Sequence, residues 1–83
     1  SMRKFSEQEG RKLTEVRCNC CGRKITVTNG IVKEGCIRVE APFGFFSQKD
    51  GQTHCLDLCE ACYDKITADF QIPAEIREET EFL

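Results

Sequence analysis

Several features of larger proteins are missing from this 83-residue chain. It has no tryptophan, one methionine and one histidine. No run of about 18 apolar residues is present that would span a bilayer. The chain also starts without the apolar stretch of a secretory signal, and the serine ahead of Met2 is typical of tag removal. We therefore expect a cytoplasmic protein with no membrane segment.

Motifs that carry catalysis are absent as well. There is no glycine-rich phosphate loop between a strand and a helix, and no paired carboxylates that stand out from an acidic surface. His54 precedes Cys55, but adjacent strand residues point to opposite faces, so they do not form a Cys–His nucleophile. We expect His54 to be an ordinary strand histidine and the protein not to be an enzyme.

Cysteine is what the chain has in abundance. Its seven cysteines would leave one thiol over in a disulfide framework. In a reducing compartment, clustered cysteines are more often metal ligands than disulfides. A chain this short has a marginal hydrophobic core and usually needs a metal, disulfides or a partner. The cysteines are therefore the strongest candidates for this additional stabilisation.

Two Cys-x-x-Cys pairs, separated by 37 residues, form the strongest motif. Four thiolates at this spacing bind Zn²⁺ tetrahedrally. Gly22 allows the turn after the first pair to adopt a positive φ, and the second pair opens a predicted helix whose dipole favours thiolates. We predict one structural Zn²⁺ per chain, bound by Cys18, Cys21, Cys59 and Cys62. An iron or labile-metal site and a redox disulfide are the alternatives.

The remaining cysteines are not expected to bind the metal. Cys20 lies inside the first turn, where the two-residue spacing favours Cys21 as the ligand, and we expect Cys20 to be exposed or structural. Cys36 and Cys55 alternate with apolar neighbours on predicted strands, which is typical of small buried side chains. A second metal site that combines these three thiols with His54 is a weaker alternative, because residues 54 and 55 point to opposite faces.

The pattern around the cysteines predicts hairpins. Residues 1–12 read as a flexible lead-in that includes the tag remnant, residues 13–72 as the zinc-binding domain, and residues 73–83 as an acidic C-terminal tail. Asn29-Gly30 between β-branched residues predicts one hairpin. Asp50-Gly51 predicts a second one, with arms at 43–47 and 53–56.

A helix is predicted after the second hairpin. Asp57 and Glu60 have the spacing of a capping box, with Asp57 as the N-cap. Apolar residues then recur every four positions at Leu58, Cys62, Ile66 and Phe70, until Pro73 ends the pattern. The fold class expected from these elements is a small α+β zinc domain.

Two segments of the chain resemble a known family. Cys18-Asn-Cys-Cys-Gly22 and Leu58-Cys-Glu-Ala-Cys-Tyr-Asp-Lys-Ile66 are similar to treble-clef or zinc-ribbon-like domains, such as the zinc-binding domain of the Clp-type unfoldase. Residues 43–83 also look like a group of small bacterial proteins without an established activity. The resemblance covers most of residues 18–83. It implies a zinc knuckle, β-hairpins and one C-terminal helix, in a protein-docking or self-associating module.

The chain departs from the unfoldase pattern in two ways. It carries the extra thiols Cys20 and Cys36, and its β insert is longer. The partners of the unfoldase domain are therefore not carried over to this protein.

Charge is distributed unevenly along the chain. The net charge is −2, but residues 1–38 sum to +5 and residues 39–83 to −7. The two halves either interleave and neutralise each other in the fold, or they attract other molecules. A homodimer would pair the basic half of one copy with the acidic half of another.

The leading functional prediction is a protein-interaction or adaptor module that self-associates. Its candidate surface consists of apolar residues that one small core is not expected to absorb: Phe43, Phe45, Phe46, Phe82 and Leu83. The alternative is a nucleic-acid-binding zinc module that uses the basic N-terminal half. An isoelectric point near 5.4 and an acidic helix argue against it, since phosphates would repel that helix.

Overall fold

A computed structural model describes residues 3–7 and 10–79 of the chain. The first sheet has three strands, β1 (Arg3–Ser6), β2 (Lys12–Arg17) and β3 (Lys24–Ile25), in the antiparallel order β1-β2-β3. The expected flexible lead-in over residues 1–12 is therefore wrong for residues 3–6. These residues pair with β2 and are tied to it by a backbone ladder, which composition alone does not reveal.

The first predicted hairpin is present. Strands β4 (Val27–Thr28) and β5 (Ile31–Val32) pair antiparallel around Asn29 and Gly30. Both turn residues have positive φ, 52° and 78°. A two-residue turn of this kind requires positive φ at both positions, and Asn-Gly supplies it at low cost.

The second hairpin is longer than predicted and starts elsewhere. Strands β6 (Cys36–Pro42) and β7 (Thr53–Cys59) pair antiparallel over seven residues each. The predicted strand at 43–47 is wrong, because these residues belong to the loop that joins β6 to β7. Aromatic residues favour strands, but Pro42 cannot donate to a continuing ladder, and Gly44 and Ser47 form a turn directly after it.

The helix α1 (Glu60–Ala68) begins later than the capping-box pattern indicated. Its N-cap is Cys59, and Asp57 lies within β7 with its side chain completely buried. The predicted N-cap role of Asp57 is therefore wrong, because two arginines bind this carboxylate in the interior. Phe70 lies beyond the helix, and the predicted apolar stripe stays partly open, with Ile66 and Phe70 both exposed.

The buried core lies where β2, β3, β7 and α1 meet. Its apolar members are Val16, Ile25 and three cysteines: Cys18, Cys59 and Cys62. Two aliphatic residues form too small a core for a stable domain by themselves. Residues 70–79 follow the helix without regular structure and are exposed throughout. No helix in residues 3–7 and 10–79 is long and apolar enough to cross a membrane.

Candidate metal centre

The first Cys-x-x-Cys pair lies in a tight turn after β2. The Cys18 N–H donates to Arg23 O (2.9 Å) and the Gly22 N–H donates to Cys18 O (2.9 Å), so the chain folds back on itself. Gly22 has a φ of 80°, which residues with a side chain rarely adopt. The N–H groups of Cys20 and Cys21 point at Cys18 Sγ, at 3.4 and 3.5 Å. This turn thus directs backbone donors at a sulfur, as the position of Gly22 predicted.

The second pair lies where β7 turns into α1. Cys59 is both the last strand residue and the helix N-cap, and Cys62 is in the first helical turn. Residues three apart share one face of a helix, so both sulfurs point the same way. The positive end of the helix dipole lies beside them and favours thiolates.

The structure brings the four predicted cysteines together. The sulfurs of Cys18, Cys21, Cys59 and Cys62 all lie within 4.8 Å of one another, and the Cys21 and Cys59 sulfurs are 3.9 Å apart. A tetrahedral ion with Zn–S bonds near 2.3 Å places its sulfurs about 3.8 Å apart. Three of the cysteines are buried and Cys21 is exposed. A cluster of this size and composition can hold a metal ion.

The cluster distributes its protons unevenly among the sulfurs. Burial raises the pKa of the Cys18 thiol, but the backbone N–H groups of Cys21 and Cys59 stabilise its thiolate, and the net pKa falls to about 6. The pKa of Cys59 is lowered, chiefly by the backbone N–H of Cys62. The pKa of Cys62 is raised, first by its hydrogen bond with Cys59. Cys62 therefore keeps its proton more readily than Cys18 and Cys59, whose thiolates can bind a cation.

Asn19 joins the two halves of the cluster. Its side-chain Oδ1 accepts a hydrogen bond from the Asp57 N–H (2.8 Å), and its own N–H donates to Asp57 O (2.8 Å). Asn19 follows Cys18, and Asp57 lies two residues before Cys59. This pair of hydrogen bonds therefore fixes the distance between the first Cys-x-x-Cys turn and the strand that carries the second.

The Asp57 carboxylate is held by two arginines. Arg3 donates from Nε (3.0 Å) and Nη2 (2.8 Å) to Oδ1, and Arg38 donates from Nη1 to Oδ2 (3.0 Å). The carboxylate raises the pKa of Arg3, so this guanidinium stays charged. We call these three side chains the Arg3–Asp57–Arg38 triad. It ties β1 and β6 to the strand that supplies Cys59.

Sequence reasoning missed the triad. Asp57 is the one charged residue between Cys55 and Cys59, in a strand whose neighbours are apolar. A lone acid in such a strand is a signal for a buried charge that needs cationic partners. The partners themselves are not visible in a local pattern, because Arg3 lies 54 residues away along the chain.

The other candidates lie outside the cluster. Cys20 is exposed, as expected, while Cys36 and Cys55 are partly buried on β6 and β7. His54 is exposed on β7, where its Nε2 is 2.9 Å from Gln52 Oε1. The structure does not bring these four residues together, and within the described ranges the cluster above is the one group of cysteine, histidine and acidic side chains close enough to hold a metal.

The predicted apolar surface is divided between two places. Phe45 and Phe46 are 81% and 98% exposed, while Phe43 is partly buried with its ring edge-on to His54, 4.8 Å between centroids. Phe43 and Phe45 do not share a strand face, as the predicted strand at 43–47 would require, because the loop turns at Gly44. Phe82 and Leu83, the other predicted anchors, lie outside the described residues.

Comparison of the chain with protein-family models, with curated proteins and with solved structures finds no match.

Proposed function

We propose that the protein is a non-catalytic, self-associating protein-interaction or adaptor module, organised by one structural Zn²⁺ per chain. The sulfurs of Cys18, Cys21, Cys59 and Cys62 are its ligands. Support for zinc comes from the donor set, since four thiolates in a compact cluster suit Zn²⁺ and leave no open position for a substrate. An iron site of the rubredoxin kind remains the nearest competitor. It would be expected to have a glycine after both pairs, whereas Tyr63 follows Cys62.

The order of elements supports a treble-clef-like arrangement. After β1 and β2, a cysteine turn is followed by β-hairpins and then by a helix that starts at the second cysteine pair. In this arrangement the metal replaces the large core that 83 residues cannot build. Structural zinc contributes about 10–16 kcal/mol in zinc-finger peptides at neutral pH, which is enough to decide whether a small domain folds.

The observation that carries the interaction role is the exposed ring pair on the β6–β7 loop. Phe45 and Phe46 stack edge to face, 5.1 Å between centroids. The loop beneath them is held by its own hydrogen bonds, including Phe43 N–H to Gln52 O (2.8 Å) and Ser47 N–H to Gly44 O (2.9 Å). Exposed rings on an ordered loop lose little entropy on binding, and buried aromatic anchors dominate protein interfaces. We expect these rings to fill an apolar pocket of a partner protein.

A double variant, Phe45→Ser with Phe46→Ser, tests this role. The change is at the loop tip, so zinc content and folding should match those of the original chain. Ile31→Ser is the matched control, because Ile31 is also exposed but lies in β5. Proteins retained by the immobilised original chain and by the control, and lost by the double variant, would identify the partner. Identical sets of retained proteins for all three would contradict the role of the rings.

Nucleic-acid binding is a second candidate, and one observation favours it. Arg11, Lys12, Lys24 and Lys33 take part in none of the ion pairs found among the described residues. Cations without an acidic partner at ion-pair distance attract phosphates. The same chain carries exposed acids on α1 and beyond it, such as Asp64 and Asp69, and these would repel a polyanion. We therefore place this candidate second.

A further inference from the structure

A small hollow beside the first sheet is surrounded by positive charge. It has a volume of about 260 Å³ and is lined by Thr14, Glu15, Lys24, Ile25, Thr26 and Val27. Pockets for drug-sized ligands occupy about 300–1,000 Å³, so this hollow suits one or two side chains of a peptide. Val27 is its partly exposed apolar member, and Ile25 is buried in the core behind it. We call it the β2–β4 hollow.

Three cations lie close to Glu15, the one acidic residue that lines this hollow. Glu15 pairs with Arg17 (2.9 Å) and more loosely with Lys4 (3.9 Å), and Lys24 is close enough to act on the same carboxylate. Together they lower the pKa of Glu15, with the hydrogen bond from Arg17 as the largest cause. One carboxylate cannot neutralise three cations, so the rim keeps an excess of positive charge. An acidic ligand would neutralise this excess charge.

The segment after α1 has the complementary chemistry. Residues 70–83 carry four glutamates against one arginine, Arg77. In its described part the segment is exposed and irregular, and Ile72 and Ile76 are each 83% exposed. Ile76 lies between Glu75 and Arg77, and Glu78 and Glu79 follow. An apolar side chain in a segment of net negative charge is what an apolar hollow rimmed by cations would bind.

We propose that the β2–β4 hollow is a binding site for an acidic peptide, and that its ligand is the segment 70–83 of a second copy of this chain. In this arrangement Ile76 enters the hollow, and Glu78, on the same side of the extended segment, faces the cations on its rim. The inference rests on the proposed self-associating function, of which it names the contact surfaces.

The alternation of side chains in an extended chain agrees with this arrangement. Residues two apart point to the same side and lie about 7 Å apart, so Glu78 is on the side of Ile76 and Glu75 is on the opposite side. Lys4 and Lys24 lie on the two strands that flank β2, and Lys4 is opposite Glu15 while Lys24 is opposite Arg17. Glu78 can therefore reach a lysine of the rim while Ile76 enters the hollow.

The exposed area of the chain favours a second copy as the ligand. The chain has 6744 Å² of accessible surface. Folded monomers of 9.5 kDa are expected to expose about 5,000 Å², so the surplus is about 1,700 Å². A standard interface buries about 1,600 Å² in total. The exposed segment after α1 contributes to this surplus, and mutual exchange of the two segments would bury part of it.

Sedimentation equilibrium of the full zinc-loaded chain tests the proposal. Lys24→Glu changes the rim of the hollow, Ile76→Asp changes the segment, and Lys49→Glu is the control, since Lys49 is an exposed lysine of the β6–β7 loop. We expect association at micromolar concentration and low salt, and we expect each of the first two changes to weaken it at least about tenfold. The control should associate like the original chain.

Mixing the Lys24→Glu and Ile76→Asp chains is a more specific test than measuring each variant alone. A Lys24→Glu chain keeps an intact segment and an Ile76→Asp chain keeps an intact hollow, so an equimolar mixture should recover part of the association that each lacks alone. A labelled peptide of residues 70–83 should bind the Ile76→Asp chain more tightly than the Lys24→Glu chain, and less tightly at high salt.

Several outcomes would overturn the proposal. One is a mass of 9.5 kDa at every concentration, and another is equal association of the Lys24→Glu and Lys49→Glu chains. Binding of a single-stranded oligonucleotide through Lys24, without binding of the peptide, would assign the cations to nucleic acid instead. If the chain contains zinc and binds partners through Phe45 and Phe46 but the segment does not bind the hollow, the proposed interaction role still stands. Absence of zinc would remove the proposed function itself.

Discussion

Replacement of Asp57 by Asn should destabilise the zinc-loaded protein strongly. The Asp57 side chain is fully buried, and its two oxygens accept hydrogen bonds from Arg3 and Arg38. Asparagine has nearly the same shape but no charge, and its amide group would face a guanidinium. The hydrogen bonds to Asn19 use the backbone of residue 57 and would survive. The variant therefore isolates the carboxylate.

The expected loss is about 2–4 kcal/mol. Removing one partner of a buried ion pair costs about 3–5 kcal/mol, because the other charge is left without compensation. The side chains of Arg3 and Arg38 are 22% and 30% exposed to solvent, so hydration of the two guanidinium groups offsets part of that cost. A loss of this size is a large fraction of the 5–15 kcal/mol that is typical of a folded domain.

Guanidinium unfolding at a fixed free zinc concentration, followed by far-UV circular dichroism, measures the effect. Asp64→Asn is the matched control, because Asp64 is an exposed acid of α1 and exposed substitutions usually change stability by less than about 0.5 kcal/mol. If Asp57→Asn unfolds within about 0.5 kcal/mol of the original chain, the triad does not support the metal centre and the reasoning above is refuted.

Three further predictions concern the surroundings of the cluster. Asn19→Ala should leave the buried N–H of residue 57 without a partner and weaken zinc binding about tenfold, as a chelator competition would measure; unchanged affinity would contradict the linking role. The Arg23 guanidinium and the Thr26 N–H lower the pKa of Glu34 from 4.5 to about 2, so its ionised form adds stability that is complete above pH 4.5 and is lost as the pH falls towards 2. The difference in the free energy of unfolding between the original chain and Glu34→Gln should accordingly stay constant from about pH 8 to 5.5 and become smaller below pH 5.5. A difference that does not change with pH would contradict this prediction. Conversion of the three cysteines outside the cluster to serine should preserve the metal content, and a fall in metal after changing Cys20 alone would mean that the ligand register in the first turn is wrong.

Local patterns predicted most of the candidate site. The spacing of the cysteine pairs, Gly22 and the Asn29-Gly30 turn each act over a few residues, so their outcome is encoded where they occur. The same holds for the helix after Cys59, although it begins at Glu60. These elements bring the four sulfurs together once the two pairs meet.

What the sequence did not reveal depends on distant or competing contacts. Asp57 has the spacing of an N-cap, and only the arrival of Arg3 from the other end of the chain makes it a buried ion partner instead. The segment 43–47 has strand-forming residues, but Pro42 and Gly44 turn it into a loop that exposes Phe45 and Phe46. In the first case tertiary context overrides a local preference, and in the second a local turn overrides the strand preference of the aromatic residues.

The central claim is that the four clustered sulfurs hold one zinc ion that the fold requires. Elemental analysis by mass spectrometry of reduced, folded protein, purified without added metal, tests it most directly. The account predicts one zinc per chain, and both zinc and folded structure should be lost when Cys59 is replaced by serine, because the remaining three sulfurs cannot complete the tetrahedral site. A reduced and folded protein that contains no stoichiometric metal would contradict it.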